Sequence, residues 1–508
     1  MSADPDVVVI GAGPNGLVAA CVLARAGLKI LVLEAHPGRP GGALASEEAT
    51  LPGFVHDAGA AFFPFARISP AFRALDLGAR GLAWTFAPID SAHPAPDGSV
   101  AVLARDHDRI ERCFGSPDDG ARMRAIAGWH ARVEGRLLPA MLETFPALGP
   151  ALRLLPFSIL RVAAIFLRST AGLANRWFRS EPARRVIPGL ALHTDVGPDD
   201  TFGSGIGYML AAMATSGGYG VPAGGAGAIT RALVGLLEAH GGQVRLGARA
   251  AKIEVAGGRA AGVVLAGGES IRARRAVMSD TSAAALFLDL VEARHVPGRV
   301  VRRMRSFRYG WGTFKVDWAL SGPVPWAVAE AREAAVVHAG DSVDDLRRFT
   351  AEVRGGALPS NPYLVIGQQS LCDPSRAPPG RHVLWAYSRV PNRPPGGDWA
   401  ALREAFADAI DRRIEGLAPG FRARVLARRA VTPDDLERMD ANLVGGDLGG
   451  GSNAWHRQLL FRPVFPWFRY RMPVRGLYLC SSYTHPGAGV HGMCGYNAAR
   501  IALRDLRV

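Results

Sequence analysis

Lysine is nearly missing from this chain: among 59 basic residues only Lys29, Lys252 and Lys315 are lysine, and the rest are arginine. Such a skew reads as genomic base composition, which makes the formal net charge of +14 weak ground for a nucleic-acid partner. The arginines are scattered, and no zinc-finger, RNP or basic-region pattern accompanies them, so no nucleic-acid binding is expected. Cysteine is sparse as well. Cys21, Cys113, Cys372, Cys480 and Cys494 are irregularly spaced, with no CxxC pair and no metal-ligand pattern. Neither a disulfide framework nor a metal centre is expected, and the thiols read as reduced, in a cytoplasmic-type compartment. No apolar run reaches the ~18 residues of a membrane span, and the start of the chain lacks a basic segment followed by an apolar core. A soluble protein, or one peripheral on the inner face of a membrane, is the expectation.

Glycine is in surplus, at 61 of 508 residues, where ~7 per cent is usual. Its placement carries the main signal. Asp6 to Ile10 (DVVVI) is a β-branched run, Leu17 to Arg25 reads as an alanine-rich helix ended by Gly27, and a second strand follows at Lys29 to Leu33. Between the first strand and the helix stands GAGPNG. Gly11 permits a tight turn, Gly13 lets the backbone reach a pyrophosphate, and Gly16 lets helix pack on strand. Pro14 and Asn15, in the turn ahead of the helix, are cofactor candidates with it, since the free N–H groups of a helix start attract phosphate. Glu34 ends the second strand, where an acid accepts hydrogen bonds from ribose hydroxyls. Ala35, Arg39, Gly41, Gly42 and Ala43 follow in a backbone-rich loop. A second glycine turn this close is typical of FAD chains. No later GxGxxG stands between strand and helix, so one FAD and no dedicated NAD(P)H domain is expected.

From about Ser91 to Thr215 the pattern is helical and irregular. It returns at GGYGVPAGGAGAI, which leads into a helix through Ala239, then strands at Val244 to Leu246, Ala250 to Val255 and Ala261 to Leu265. The last two are joined as a hairpin by Gly257 and Gly258. Another strand, Ala276 to Met278, is followed by Ser279, a further cofactor candidate. Residues 300–430 read as a separate α+β region with strands at Gly312 to Leu320, Tyr363 to Ser370 and His382 to Arg389 and a helix from Trp399 to Leu417. A strand at Gly476 to Cys480 and a helix from about Gly492 to Leu506 close the chain. Two interleaved domains are inferred, an FAD domain from 1–90, 216–299 and 431–508 and a substrate domain from 91–215 and 300–430.

Four segments, VVVIGAGPNGLVAACVLARAGLKILVLEA, GGYGVPAGGAGAITRALVGLLEAHGGQVRL, YGWGTFKVDWAL and FRYRMPVRGLYLCSSYTHPGAGVHGMCGYNAAR, resemble the phytoene-desaturase-like flavoproteins of the amine-oxidase superfamily. Within these, the chain resembles the group known as pyridine nucleotide-disulfide oxidoreductase domain-containing proteins. The resemblance spans nearly the whole chain and implies an α/β fold, with a glutathione-reductase-like Rossmann FAD domain and an interleaved α+β substrate domain. It implies that the backbone at Ala250 holds the adenine and that Ser482 meets the ribityl chain. It also implies that the N–H groups around Gly489, Val490, Gly492 and Met493 face the flavin C2 carbonyl. Lys315, by the same resemblance, holds a water at flavin N5, while its sequence context equally allows a strand lysine that reaches solvent or pairs with Asp317. His485, with His491 and His456 nearby, is a candidate acid or base, or a prop for backbone carbonyls.

The stretch 144–180 contains no acidic residue, yet holds Arg153, Arg161, Arg168, Arg176 and Arg179 among leucine, isoleucine and phenylalanine. Such a basic amphipathic segment suits an anionic membrane surface, and its bland alternative is a helix packed on the substrate domain with its arginine stems over the core. FRPVFPWFRY, Phe461 to Tyr470, has the same interfacial composition. The function expected is an FAD-dependent oxidoreductase that desaturates or dehydrogenates an apolar or amphipathic small molecule by hydride transfer to flavin N5. Oxygen or a quinone would be the acceptor. An amine oxidase is the alternative among enzymes, and an isomerase or an interaction protein with structural FAD the alternative of another class.

Overall fold

The computed structural model describes residues 4–65 and 67–508. VVVI is buried end to end, as a strand covered on both faces must be. It forms β1 (Val7–Ile10), followed by α1 (Pro14–Arg25) and β2 (Ile30–Leu33). Proline in a first helical turn loses no hydrogen bond, because that N–H has no partner in any case, and the helix therefore begins at Pro14 and not at Leu17. A short hairpin of β3 (Ser46–Glu48) and β4 (Val55–Asp57) comes next.

The stretch read as helical and irregular opens with an antiparallel pair, β5 (Ile89–Pro94) and β6 (Val100–Leu103). In β5 the polar Asp90, Ser91 and His93 are buried along with their apolar neighbours, so no solvent side registers as alternation. Helices α2 (Pro117–Leu142), α3 (Leu148–Leu152), α4 (Phe157–Phe166), α5 (Thr170–Trp177) and α6 (Ser204–Thr215) follow. The basic amphipathic segment is thus broken into short helices, with Pro156 ahead of α4 and Ser169 capping α5 by accepting the Gly172 N–H. Arg168 lies beyond the end of α4, so it does not share a helix face with Arg161 as their spacing suggests. Arg161 covers the Trp129 ring, its guanidinium carbon 4.3 Å from the centroid.

Next come α7 (Gly227–Ala239), β7 (Gln243–Arg245), β8 (Ala250–Ala256), β9 (Arg259–Leu265), β10 (Ser270–Arg272) and β11 (Ala276–Ser279). The glycine pair joins β8 to β9 as an antiparallel hairpin. The later block contains β12 (Gly312–Leu320), β13 (Ala334–Ala339), β14 (Leu364–Gly367), β15 (His382–Val390), α8 (Trp399–Leu417) and β16 (Val425–Val431). β14 stops short of Ser370 because Gln369–Cys372 turns helical. β13 is rich in alanine and β16 is an arginine-bearing edge strand, so neither has the composition that marks a strand. β17 (Leu477–Leu479) and α9 (Met493–Leu506) end the chain.

Among the described residues a five-stranded parallel sheet runs in the order β17-β11-β1-β2-β7, and a seven-stranded mixed sheet in the order β16-β12-β15-β14-β13-β5-β6. Both assemble from separated stretches, as an interleaved α/β fold requires. One face of the larger sheet, with Phe314, Val316, Trp318, Leu384 and Ala386, packs on Phe406, Ile410 and Ile414 of α8, each Phe, Val, Leu or Ile side chain contributing ~1.5–3 kcal/mol by its burial. The opposite face carries Thr313, Lys315 and Asp317, in register with Arg389, Tyr387 and Trp385. This face is turned inward, since Phe62 meets Trp385 edge-on at 5.9 Å and His56 Nδ1 lies 3.6 Å from Asp317 Oδ1. No helix of the described residues is long and apolar enough to cross a membrane.

Candidate cofactor and substrate site

The N-cap of α1 is Gly13, which has no side chain to cap the helix, and its first turn carries no acid, so the N–H groups there are left to the turn after β1 and to groups from distant segments. Gly11 there has φ +93°, a conformation costly for any residue with a Cβ. At Gly13 a Cβ would lie 2.7 Å from Asp280 Oδ2. The second glycine turn folds against the first: Gly41 donates its N–H to the Ala12 carbonyl at 2.9 Å, and a Cβ on Gly42 would stand 3.6 Å from the Gly13 Cα. Arg39 Nη1 donates to the Gly42 carbonyl at 3.1 Å, and Ala43 packs on Gly59. Glu34 accepts the N–H groups of Ala12 and His36, both at 2.8 Å. The Ala248 N–H donates to the Glu34 carbonyl at 2.8 Å, which ties the chain two residues ahead of Ala250, the start of β8, to Glu34.

A second helix start meets the first. The N-cap of α9 is Gly492, again without a side chain of its own, and Gly495 in the first turn rests on the Asn15 carbonyl. Met493 donates its N–H to His491 Nδ1 at 3.1 Å. Val490 holds φ +49°, strain of the kind that concentrates at functional sites, beside Gly489 at φ +136°. The positive ends of two helices therefore open on one region. Ser279 sits buried at the end of β11, its hydroxyl 2.7 Å from that of Thr281. Ser482 is held through its carbonyl by Arg462, whose Nη2 donates at 2.8 Å. Arg462 is itself buried, so within FRPVFPWFRY it is a structural clamp and not an interfacial cation. Phe461 and Phe465 do face solvent.

No motif marks Asp280, yet it stands at the centre of the cradle. Its Oδ2 accepts the Gly16 N–H at 2.8 Å. Burial pushes its pKa up to about 7, the Gly16 N–H opposes this, and the negative Asp440 and Glu34 add to it. Asp440 is raised by desolvation too, and its Oδ2 would lie 2.9 Å from a Cβ on Gly42. In shape the residues present fit a dinucleotide: glycine turns without side chains and two helix starts with glycine N-caps. In charge they fit it when Asp280 holds a proton.

On the inward sheet face, Lys315 Nζ donates to both oxygens of Asp317 at 2.6 Å, and both residues are buried. Of the readings open to Lys315, pairing with Asp317 is the one observed. His56 beside them is lowered to about 4, chiefly by burial. Tyr387, His193 and Arg389 line the same face, and nothing local in the sequence distinguishes them. His485 turns its ring to Phe145, 6.0 Å away, and burial, with Arg462, lowers it to about 4. His491 is lowered to about 3, mainly by burial, and faces Phe65 at 6.1 Å. His456 is exposed beside Trp455, outside this cluster.

The pattern of the family described as NAD(P)-binding Rossmann-like domain matches residues 9–76, and that of the family described as flavin containing amine oxidoreductase matches 167–502. The chain is 30% identical to pyridine nucleotide-disulfide oxidoreductase domain-containing protein 2 of Rattus norvegicus, over 99% of this chain and 94% of the relative. It is 26% identical to a lycopene-forming phytoene desaturase of a Paracoccus species, over 98% and 97% of the two chains. Among solved structures, cyclohexylamine oxidase from Brevibacterium oxydans shares the fold with a TM-score of 0.59 at 18% identity, over 99% of this chain and 100% of that one.

Proposed function

Because the chain belongs to the flavin containing amine oxidoreductase family, and is thus a flavin-dependent oxidoreductase, we propose that it binds FAD non-covalently and dehydrogenates a small apolar or amphipathic molecule. The observation that carries this reading is the meeting of two helix starts whose N-caps are glycine, Gly13 and Gly492, with a glycine cradle between β1 and α1. The Gly11 to Gly16 turn takes the pyrophosphate, with Arg39, Gly41, Gly42 and Ala43 closing over it. Glu34 and Ala35 take the ribose, and the backbone at Ala250 the adenine. Ser279 and Ser482 flank the ribityl chain, and the N–H groups from Gly489 to Met493 face the ring carbonyl. A bound flavin supplies the acceptor for a hydride leaving a substrate C–H bond, with oxygen or a quinone taking the electrons onward. Trp385 and Phe62 exclude water from the substrate, and Lys315 is held by Asp317 as a fixed, neutralised charge in the wall. Residues 1–90, 216–299 and 431–508 form the FAD unit in this reading, and 91–215 with 300–430 the substrate unit.

Amine oxidation is the second reading, favoured by the stacked Trp385 and Tyr387 rings, 5.4 Å apart at 24°, a surface that suits a cation. Peripheral contact of 151–180 with an anionic membrane is part of the proposal, supported by exposed leucines among its arginines, Leu160 at 71% and Leu167 at 62%. The test is anaerobic. Flavin released from the purified protein should be FAD by mass, and lipid extract should bleach the bound flavin and yield a desaturated product. Bleaching by amines alone replaces dehydrogenation with amine oxidation, and recovery of FMN or of no flavin ends the FAD assignment.

A further inference from the structure

The inward face of the seven-stranded sheet holds a charge that the protein does not neutralise. Arg389 is 5% exposed. Its Nη1 donates to Thr313 Oγ1 at 2.6 Å and its Nη2 to the His193 carbonyl, while Nε has no acceptor. Among the described residues no carboxylate oxygen lies within 4.0 Å of it. The acids on flanking segments are already engaged. Asp317 takes Lys315, Asp447 accepts the backbone N–H groups of Gly310, Gly449 and Gly451, and Asp195 accepts from Ser452 and Asn453. A guanidinium buried without a counter-charge costs several kcal/mol. The Tyr387 ring, 5.3 Å from the Arg389 guanidinium carbon, returns only ~0.5–2 kcal/mol of that.

The remaining polar groups on this face are uncharged and can adapt to a ligand. Tyr387 meets His193 Nδ1 at 3.0 Å, His193 Nε2 meets His338 Nε2 at 2.8 Å, and His338 Nδ1 and His93 Nε2 each meet the Ser91 hydroxyl at 2.9 Å. Burial lowers all three histidines, His193 and His93 to about 3, so each ring gives one proton and accepts one. A chain of such links has two polarities. In one of them His193 donates to the Tyr387 oxygen, and the Tyr387 proton is free for a ligand. Tyr387 and Phe62 are half-buried, and Phe62, on Trp385, belongs to the same short segment as Phe65, on His491. Apolar rings thus run from Tyr387 beside Arg389 through Trp385 to Phe62, in the segment that also meets His491 ahead of α9.

We propose that the substrate of this site carries a carboxylate or comparable anionic head, held by Arg389 Nε–H and the Tyr387 hydroxyl, with its hydrocarbon part along Trp385 and Phe62. This rests on the FAD-dependent reading above and narrows its substrate class; an amine would bring its cation against Arg389. The oxidised flavin spectrum of the holoenzyme reports occupancy. Decanoate, palmitate and benzoate are titrated beside the alcohol and the amine of each skeleton. At least one carboxylate should bind about tenfold tighter than its alcohol and amine, ~1.4 kcal/mol. Arg389→Gln should abolish that preference, Arg389→Lys should keep part of it, and Tyr387→Phe should weaken the carboxylate alone. A wild-type protein that prefers none of the carboxylates overturns the assignment whether or not the variants fold, as does a preference that survives Arg389→Gln. Failure of the FAD reading shows separately, as a purified protein without a flavin spectrum.

Discussion

Removing the charge of Asp280 is the sharpest test of the cradle. With its pKa near 7, Asp280 of the free protein is mostly protonated at pH 6 and mostly ionised at pH 8.5. A pyrophosphate at the start of α1 adds negative charge next to a carboxylate bonded to Gly16, so the bound state raises that pKa further and cofactor binding takes up a proton. The sign follows: affinity is full below the free pKa and is lost as pH rises through it. With the bound pKa above the window, the loss between pH 6 and pH 8.5 is about 30-fold, or ~2 kcal/mol. Burial sets this value first, the Gly16 N–H opposes it, and Asp440 and Glu34 add to it; the thiols of Cys480 and Cys494, raised by burial, stay neutral across the window, and Arg39 faces Asp440. FAD is titrated calorimetrically into apoprotein across the window, in buffers of different ionisation enthalpy so that proton uptake is counted. Asp280→Asn keeps an acceptor for the Gly16 N–H and should bind FAD with a nearly flat pH profile, tighter than wild type at pH 8.5. A wild-type affinity constant within twofold across the window, or a variant that keeps the slope, refutes the reasoning.

Gly13→Ala places a methyl 2.7 Å from Asp280 Oδ2, and FAD retained through gel filtration should fall well below wild type while the protein stays folded by circular dichroism. Lys315→Met leaves buried Asp317 with only His56, 3.6 Å away, beside it and should cost up to ~3–5 kcal/mol in urea unfolding, most of it regained in Lys315→Met with Asp317→Leu; a single variant as stable as wild type contradicts the pairing. Burial depresses His56, His93, His193, His485 and His491 to about 3 or 4, so stability present above their unfolded value near 6.5 should drain as pH falls, at up to ~1.4 kcal/mol per pH unit for each. Urea midpoints at pH 7, 6 and 5 check this, and a flat series counts against neutral histidines. Leu160→Asp should abolish sedimentation with anionic phospholipid vesicles if 151–180 docks there, and equal sedimentation of variant and wild type removes that contact.

The nucleotide cradle is legible because it is local. Gly11 to Gly16 and Glu34 lie within one strand, helix and strand, and their pattern encodes backbone shape, which neighbours in sequence suffice to set. The Gly257-Gly258 hairpin and the strand at Gly312 to Leu320 are legible for the same reason. β5 and β13 are not, since strands buried on both faces lose the alternation that marks a half-exposed one. Lys315 could be placed on a strand from sequence, whereas its two equal contacts with Asp317 are a matter of side-chain packing against His56 from the distant β4.

By itself, then, the sequence determined the α/β class and the glycine-rich strand, turn and helix of a flavin-type cradle. Tertiary structure alone decided the charge at each end of the site. Asp280 reaches Gly16 because β11 pairs in parallel with β1. Arg389 stands without a counter-charge because the register of β15 on β12 sets it opposite Thr313, while Asp317, on the same face, is taken by Lys315. Local pattern dictates backbone conformation, but the balance of buried charge depends on which distant segments the fold brings within a few ångströms, where low dielectric makes each unpaired group costly.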